Sequence, residues 1–167
     1  MSVLAGSCVA TLLCVCGALG FVAGRAVTHR VTQSADYACP GRQEALVTGV
    51  IDGDTIEIAG GERVRYIGID APETDECYGR EATEMNRQLV EGKQVILICD
   101  VTDRGKYGRL LRYVIADGRF VNAELVRLGC ANAQSYGENV MFQQVLTVFE
   151  RDAREADLGL WKECTAR

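Results

Sequence analysis

The chain has almost no histidine, little proline and no excess of positive charge. Of its 167 residues one is histidine, His29, and two are proline, Pro40 and Pro72. His29 precedes every polar cluster described below and lies outside the stretch with globular patterning, so imidazole is neither a base nor a metal ligand there. No Cys-x-x-Cys pair occurs, which removes the usual zinc sets, and a bound metal must then prefer oxygen. The formal net charge is −5. Without residues 1–34, which hold two basic and no acidic residues, the remainder has 16 Lys and Arg against 23 Asp and Glu, a net of −7. Such a chain cannot hold a polyanion through bulk charge; attraction has to come from a local basic cleft and a bound cation. No internal repeat or low-complexity tract is present, and the length suits one domain plus an appendage.

The appendage is the run from Val3 to Gly24, which contains no charged residue. At about 1.5 Å per residue it is just long enough to cross a bilayer as a helix. Residues 1–24 therefore read as an export signal or a membrane anchor, with Val22-Ala23-Gly24 meeting the small-residue cleavage preference. Arg25 and Arg30 follow the apolar run and by the positive-inside rule would keep the remainder in the cytoplasm, whereas the cysteine usage suggests export. Export, as a secreted domain or one anchored with the domain outside the cytoplasm, is the reading adopted. Residues 25–44 read as a linker and residues 45–164 as the folded domain. Five cysteines lie beyond the apolar run, so at least one stays unpaired. Cys77 with Cys164 is the expected disulfide, with scattered buried thiols in a reducing compartment as the alternative.

Apolar alternation predicts strands over 45–51, 55–58, 63–69, 94–99 and 110–116, and helical spacing predicts helices over 81–91, 123–128 and 140–158. Gly92, Gly129 and Gly159 stand where helices should stop. Asp117-Gly118 turns the chain toward Phe120 and Val121. The first three strands are joined by turns too short for crossovers, which excludes a parallel doubly wound sheet. Five strands with a helix inserted after the third match an α+β fold: a five-stranded OB-type β-barrel with about three packed helices, preceded by the N-terminal hydrophobic helix.

Three polar clusters sit at the edges of these strands. Asp52-Gly53-Asp54-Thr55 taken alone is a hairpin turn, Asp70-Ala71-Pro72-Glu73 a strand end stopped by proline, and Lys106-Tyr107-Gly108-Arg109 a solvated basic turn. Together they read differently. A strand end and a returning strand end can bring Asp54 and Asp70 to one barrel rim, where two carboxylates repel unless a cation such as calcium lies between them. Ala71 can add its carbonyl oxygen, and Glu73, held by stiff Pro72, can reach a water. Arg65 shares a strand face with Ile67 and Ile69, so it needs a partner: a structural salt bridge or an anionic ligand. Arg109 can grip a phosphate bidentately, Lys106 can attract a strand and Tyr107 can pack on a sugar or base. The inventory suits a phosphodiester: cation and guanidiniums offset charge on phosphorus while a carboxylate activates water.

Asp52-Gly53-Asp54-Thr55, Arg65-x4-Asp70-x-Pro72-Glu73, Tyr107-Gly108-Arg109, and Asn122-Ala123-Glu124-Leu125-Val126 with Gly129 resemble the staphylococcal nuclease (thermonuclease) family, and Gly159-Leu160-Trp161 resembles the end of its last helix. The resemblance covers about Ala45 to Trp161. It implies an OB-type barrel and a calcium-dependent phosphodiesterase that cuts DNA and RNA, with low sequence specificity, on the 5′ side of the phosphate to leave 3′-phosphate ends. It further implies Asp54, Asp70 and the Ala71 carbonyl as calcium ligands, Glu73 as the group that positions or deprotonates water, and Arg65 and Arg109 as phosphate and transition-state ligands. Lys106 and Tyr107 match residues that contact the nucleotide. Ala71 stands where a threonine is often seen, Tyr136 alone stands near a position where some members have two tyrosines, and the acidic balance departs from the strongly basic best-known member. Expected partners are DNA and RNA substrates and, if the N-terminal segment stays uncleaved, a membrane; no obligate protein partner is expected. The rivals are a catalytically weak or inactive nucleic-acid- or protein-binding module of the same barrel type, and an acidic calcium-binding adaptor that needs the aspartates but not the arginines.

Overall fold

A computed structural model describes residues 39–164. The apolar N-terminal segment, its cleavage site and most of the linker lie outside the described residues.

Among the described residues eight strands and four helices follow in the order β1 Arg42–Val50, β2 Thr55–Ile58, β3 Glu62–Tyr66, β4 Ile69–Asp70, α1 Gly79–Val90, β5 Gln94–Ile98, β6 Leu110–Ala116, β7 Arg119–Phe120, α2 Val121–Arg127, β8 Asn132–Ala133, α3 Gln143–Glu155 and α4 Leu160–Glu163. β1 serves two neighbours: Arg42 to Leu46 pairs antiparallel with β5, and Val47 to Val50 with β2, with the register slipping between Val47 and Gly49. Such an irregularity bends a strand and lets it wrap round a barrel. β2 pairs with β3 and β5 with β6, both antiparallel, and a parallel β3–β6 ladder closes the five-stranded barrel. Closure leaves no long unpaired edge in the barrel wall.

Alternation fills the interior. Val47, Ile56, Val64, Val95, Leu97, Leu110 and Val114 are all buried and belong to one core, which Ala82 and Val90 of α1, Leu125 and Val126 of α2 and Leu146 of α3 extend. Two disulfides fasten the periphery, Cys77–Cys164 as expected and Cys39–Cys99 in addition; Cys130 is a buried free thiol.

Several boundaries differ from the sequence reading. β1 begins at Arg42 rather than Ala45, because Arg42 and Glu44 point outward while their backbone is already paired with Ile98 and Ile96 of β5. The strand expected over 63–69 divides at Gly68, whose φ of +79° is costly for any residue with a Cβ, and Ile69 and Asp70 turn away to pair with Ala133 and Asn132. α3 stops at Glu155 instead of Leu158 because Asp157 adopts a φ of +49°. α4 is an extra single turn after Gly159.

Candidate active site

Strand register builds the site. Thr55 of β2 lies opposite Arg65 of β3, and Arg65 lies beside Leu111 of β6 in the parallel ladder. Arg109 immediately before β6 and Asp54 immediately before β2 line the same cavity as Arg65. One cavity of about 520 Å³ forms there. Every site residue expected from the sequence lines it: Asp54, Arg65, Asp70, Ala71, Glu73, Lys106, Tyr107 and Arg109.

The Asp52-to-Thr55 turn is held from both sides. The Asp54 amide donates to Asp52 Oδ1 at 2.9 Å, and the Asn86 side-chain amide of α1 donates to the Asp52 carbonyl at 2.9 Å. Asn86 Oδ1 in turn accepts from the Tyr66 hydroxyl at 2.9 Å, so the turn is anchored to a phenol in the barrel core. A Cβ on Gly53 would come within 2.5 Å of the Ala71 Cβ, so the first two clusters approach this closely only because residue 53 is glycine.

Arg65 joins the aspartates. Its Nη1 lies 2.8 Å from Asp54 Oδ2 and its Nη2 2.6 Å from Asp70 Oδ1, while Nη1 also donates to the Ile69 carbonyl at 2.9 Å. The Ala71 amide donates to Asp54 Oδ2 at 2.7 Å. The salt-bridge reading of Arg65 and its placement at the site are therefore both realised. Asp70 Oδ2 accepts no hydrogen bond among the described residues.

Burial pushes the Asp54 carboxyl from 3.8 up to about 7; Arg65 and the Ala71 amide pull it down, and the charges on Asp52 and Asp70 add to the rise. The folded protein thus keeps a proton that the unfolded chain has released between pH about 4 and 7, so this group's contribution to stability falls as pH rises through that window. In chelator, the stability of the wild type minus that of Asp54→Asn should decline from pH 4 to 7 in urea titrations. A difference that stays constant would remove this assignment.

Further charged side chains line the same cavity. Among the described residues neither the Glu73 carboxylate nor the Arg109 guanidinium nor the Lys106 ammonium forms an ion pair. Lys106 Nζ lies 4.7 Å and the Arg109 guanidinium carbon 5.7 Å from the centre of the exposed Tyr107 ring, so the three form one cationic, aromatic rim. Tyr136, exposed and held by Gln134, stands on the cavity wall. Four lining carboxylates, Asp52, Asp54, Asp70 and Glu73, face three cations, Arg65, Lys106 and Arg109. One divalent cation would turn that surplus of negative charge into a surplus of positive charge. The candidate ligands here, the Asp54 and Asp70 carboxylates and the Ala71 carbonyl, are all oxygen donors, the set a hard cation prefers, and Arg65 bridges the two carboxylates.

Sequence reasoning missed Asn139. It is buried at the cavity edge, accepts from the Val101 and Thr102 amides at 2.9 and 2.7 Å, and donates to the Thr102 carbonyl at 3.1 Å. An asparagine after Gly-Glu reads locally as a turn residue, and only the tertiary contact reveals its clasp.

Comparison with known proteins agrees with this geometry. The model of the family described as "Staphylococcal nuclease homologue" matches residues 63–163. An Escherichia coli O157:H7 protein named "Uncharacterized endonuclease" is 41% identical over 121 residues, covering 70% of this chain and 76% of that protein. A "Thermonuclease" of Staphylococcus intermedius is 34% identical over 126 residues, covering 70% and 75%. "Endonuclease YncB" of Bacillus subtilis is 37% identical over 124 residues, covering 68% and 59%.

Proposed function

Because the chain belongs to the staphylococcal nuclease family and is a nuclease, we propose that it is a calcium-dependent endonuclease that hydrolyses DNA and RNA with little sequence preference and leaves 3′-phosphate ends. The observation that carries this reading is the cavity in which unpaired Arg109, Lys106 and Glu73 meet the Asp54–Arg65–Asp70 cluster. Charged side chains left without partners on a concave surface suit a ligand of opposite and mixed charge.

Asp54, Asp70 and the Ala71 carbonyl would hold the calcium ion, which when bound supplies positive charge beside the phosphodiester. Arg65 spans the same two carboxylates, so its donors and a bound cation would share one pair of anions. Arg65 and Arg109 grip the phosphoryl oxygens and stabilise the extra charge of the pentacoordinate transition state. Glu73 orients a water and takes its proton as the new O–P bond forms. The P–O5′ bond breaks, and the 5′ oxygen takes a proton from solvent. Lys106 and Tyr107 hold the neighbouring nucleotide through charge and ring contact.

Two disulfides in so small a domain fit an oxidising compartment, which supports an exported domain, secreted or held outside the membrane by residues 1–24. Locating the mature N-terminus by mass spectrometry tests the leader. For the activity, the full chain is incubated with plasmid, single-stranded DNA and RNA in calcium and then in chelator. Cleavage of all three in calcium alone, with 3′-phosphate ends, is expected. Intact substrates in calcium, or unchanged cleavage in chelator, would end the proposal.

A further inference from the structure

Arg112 is a charged side chain 1% exposed in the middle of β6, on the same face as Leu110 and Val114. A buried guanidinium is costly unless it is paired, and even a paired one commonly adds little net stability compared with apolar residues of like size. All of its side-chain hydrogen bonds go to one segment. Arg112 Nη2 donates to Asp103 Oδ1 at 2.6 Å; Nη1 donates to the Asp103 carbonyl at 3.1 Å, the Leu111 carbonyl at 2.7 Å and the disulfide sulfur of Cys99 at 3.3 Å. That segment, 99–111, contains the loop with Lys106, Tyr107 and Arg109.

The loop has no apolar anchor of its own, since every residue from Asp100 to Arg109 is exposed or half-buried. Polar contacts alone define its path. Asp103 is the hub: its Oδ1 meets Arg112, its Oδ2 lies 3.7 Å from Arg104 Nε, and its carbonyl also accepts from the Leu111 amide at 2.9 Å. Arg104 continues outward to Glu62 at 2.8 Å and donates to the Gly108 carbonyl at 2.7 Å, immediately before Arg109. A chain of charges thus runs from inside the barrel, through Asp103, to the peptide next to Arg109.

We propose that the Asp103–Arg112 pair is a positioning element for the reaction, fixing the loop so that Arg109 meets the phosphate preorganised. Neither residue lines the cavity, and both act through Arg109. The proposal rests on the reading of Arg109 as a phosphate ligand. Misplacing a catalytic group by about 1 Å can cost about a hundredfold in rate.

The test replaces the pair by apolar residues, Asp103→Leu with Arg112→Met, in the full chain, alone and combined with Arg109→Ala. Single-turnover cleavage rates in calcium and urea midpoints are measured for each. Expected are an unfolding midpoint equal to or above the wild type, a rate at least about tenfold lower, and no further loss in the Arg109→Ala background, the non-additivity of groups acting through one another. A wild-type rate in the folded double variant, or an equal fold-loss in both backgrounds, overturns the proposal. If the double variant does not fold, Arg112→Lys takes its place: it retains charge but loses the fork, and the same two outcomes decide. A single variant Arg109→Ala that cleaves at the wild-type rate would instead overturn the reading of Arg109, so the two failures are distinguishable.

Discussion

Glu73→Gln should lower the single-turnover cleavage rate by about 10²–10⁴, the usual contribution of a positioned general base, with oligonucleotide affinity unchanged. The substitution retains size and polarity but removes the carboxylate proposed to accept water's proton. The surroundings of Glu73 favour this clean result. Its backbone, not its carboxylate, is what the structure uses: the Glu73 amide donates to the Glu76 side chain at 3.0 Å and its carbonyl accepts from the Glu76 amide at 2.9 Å. Pro72 before it and the Cys77–Cys164 disulfide after it hold the loop whatever the side chain. Arg109→Ala should behave differently, losing about 10²–10³ in rate through the missing donor and also weakening substrate binding, since in the proposed role the guanidinium meets the phosphate before and during reaction. Rapid-quench kinetics with a labelled oligonucleotide, with anisotropy for binding, separate the two. A Glu73→Gln enzyme that retains its rate would remove Glu73 from the chemistry, and an Arg109→Ala enzyme with unchanged binding would remove Arg109 from the phosphate.

These residues were readable in the sequence because each cluster stands at a strand end, and strand ends are marked by alternation stopping at Gly or Pro. β2 and β6 fall at their expected limits, Thr55–Ile58 and Leu110–Ala116, since both carry strong apolar patterning. What alternation cannot encode is pairing between distant segments. The two-residue ladder of Ile69 and Asp70 with Ala133 and Asn132 is too short for a period and is created by the turn at Gly68, yet it sets the direction in which Asp70 enters the cavity. Arg112 is a sharper case. In Leu-Leu-Arg-Tyr-Val it reads as an ordinary strand residue, and its burial is visible only when Asp103, nine positions earlier, folds back against it at 2.6 Å. Asn139 is similar, bridging 37 and 38 positions to Thr102 and Val101. Local patterns therefore disclose the groups lining the cavity, whereas the groups that hold them depend on tertiary contacts.

Reduction of the two disulfides should remove most of the domain's stability. Cys39–Cys99 closes 60 residues of sequence and Cys77–Cys164 closes 87, and loops of that size correspond to about 4 kcal/mol each on the chain-entropy account, with measured values commonly about 2–4. A domain of this size is stable by only about 5–15 kcal/mol in total. The two loops overlap in sequence, so the second reduction should cost less than the first. Each crosslink also ends beside a segment of the site. Cys77 follows Glu73 in the same loop, and Cys99 begins the segment that contains Arg109, its sulfur accepting from Arg112. Loss of activity in reductant should therefore begin at urea concentrations below global unfolding, because the two site loops loosen before the barrel opens. Cys130 supplies the internal control. It is buried, and burial pushes its thiol up to about 11, so it should resist alkylation until the barrel itself unfolds. Equal urea midpoints with and without reductant would mean that neither crosslink constrains the chain, and rapid alkylation of Cys130 in the native protein would contradict its place in the core.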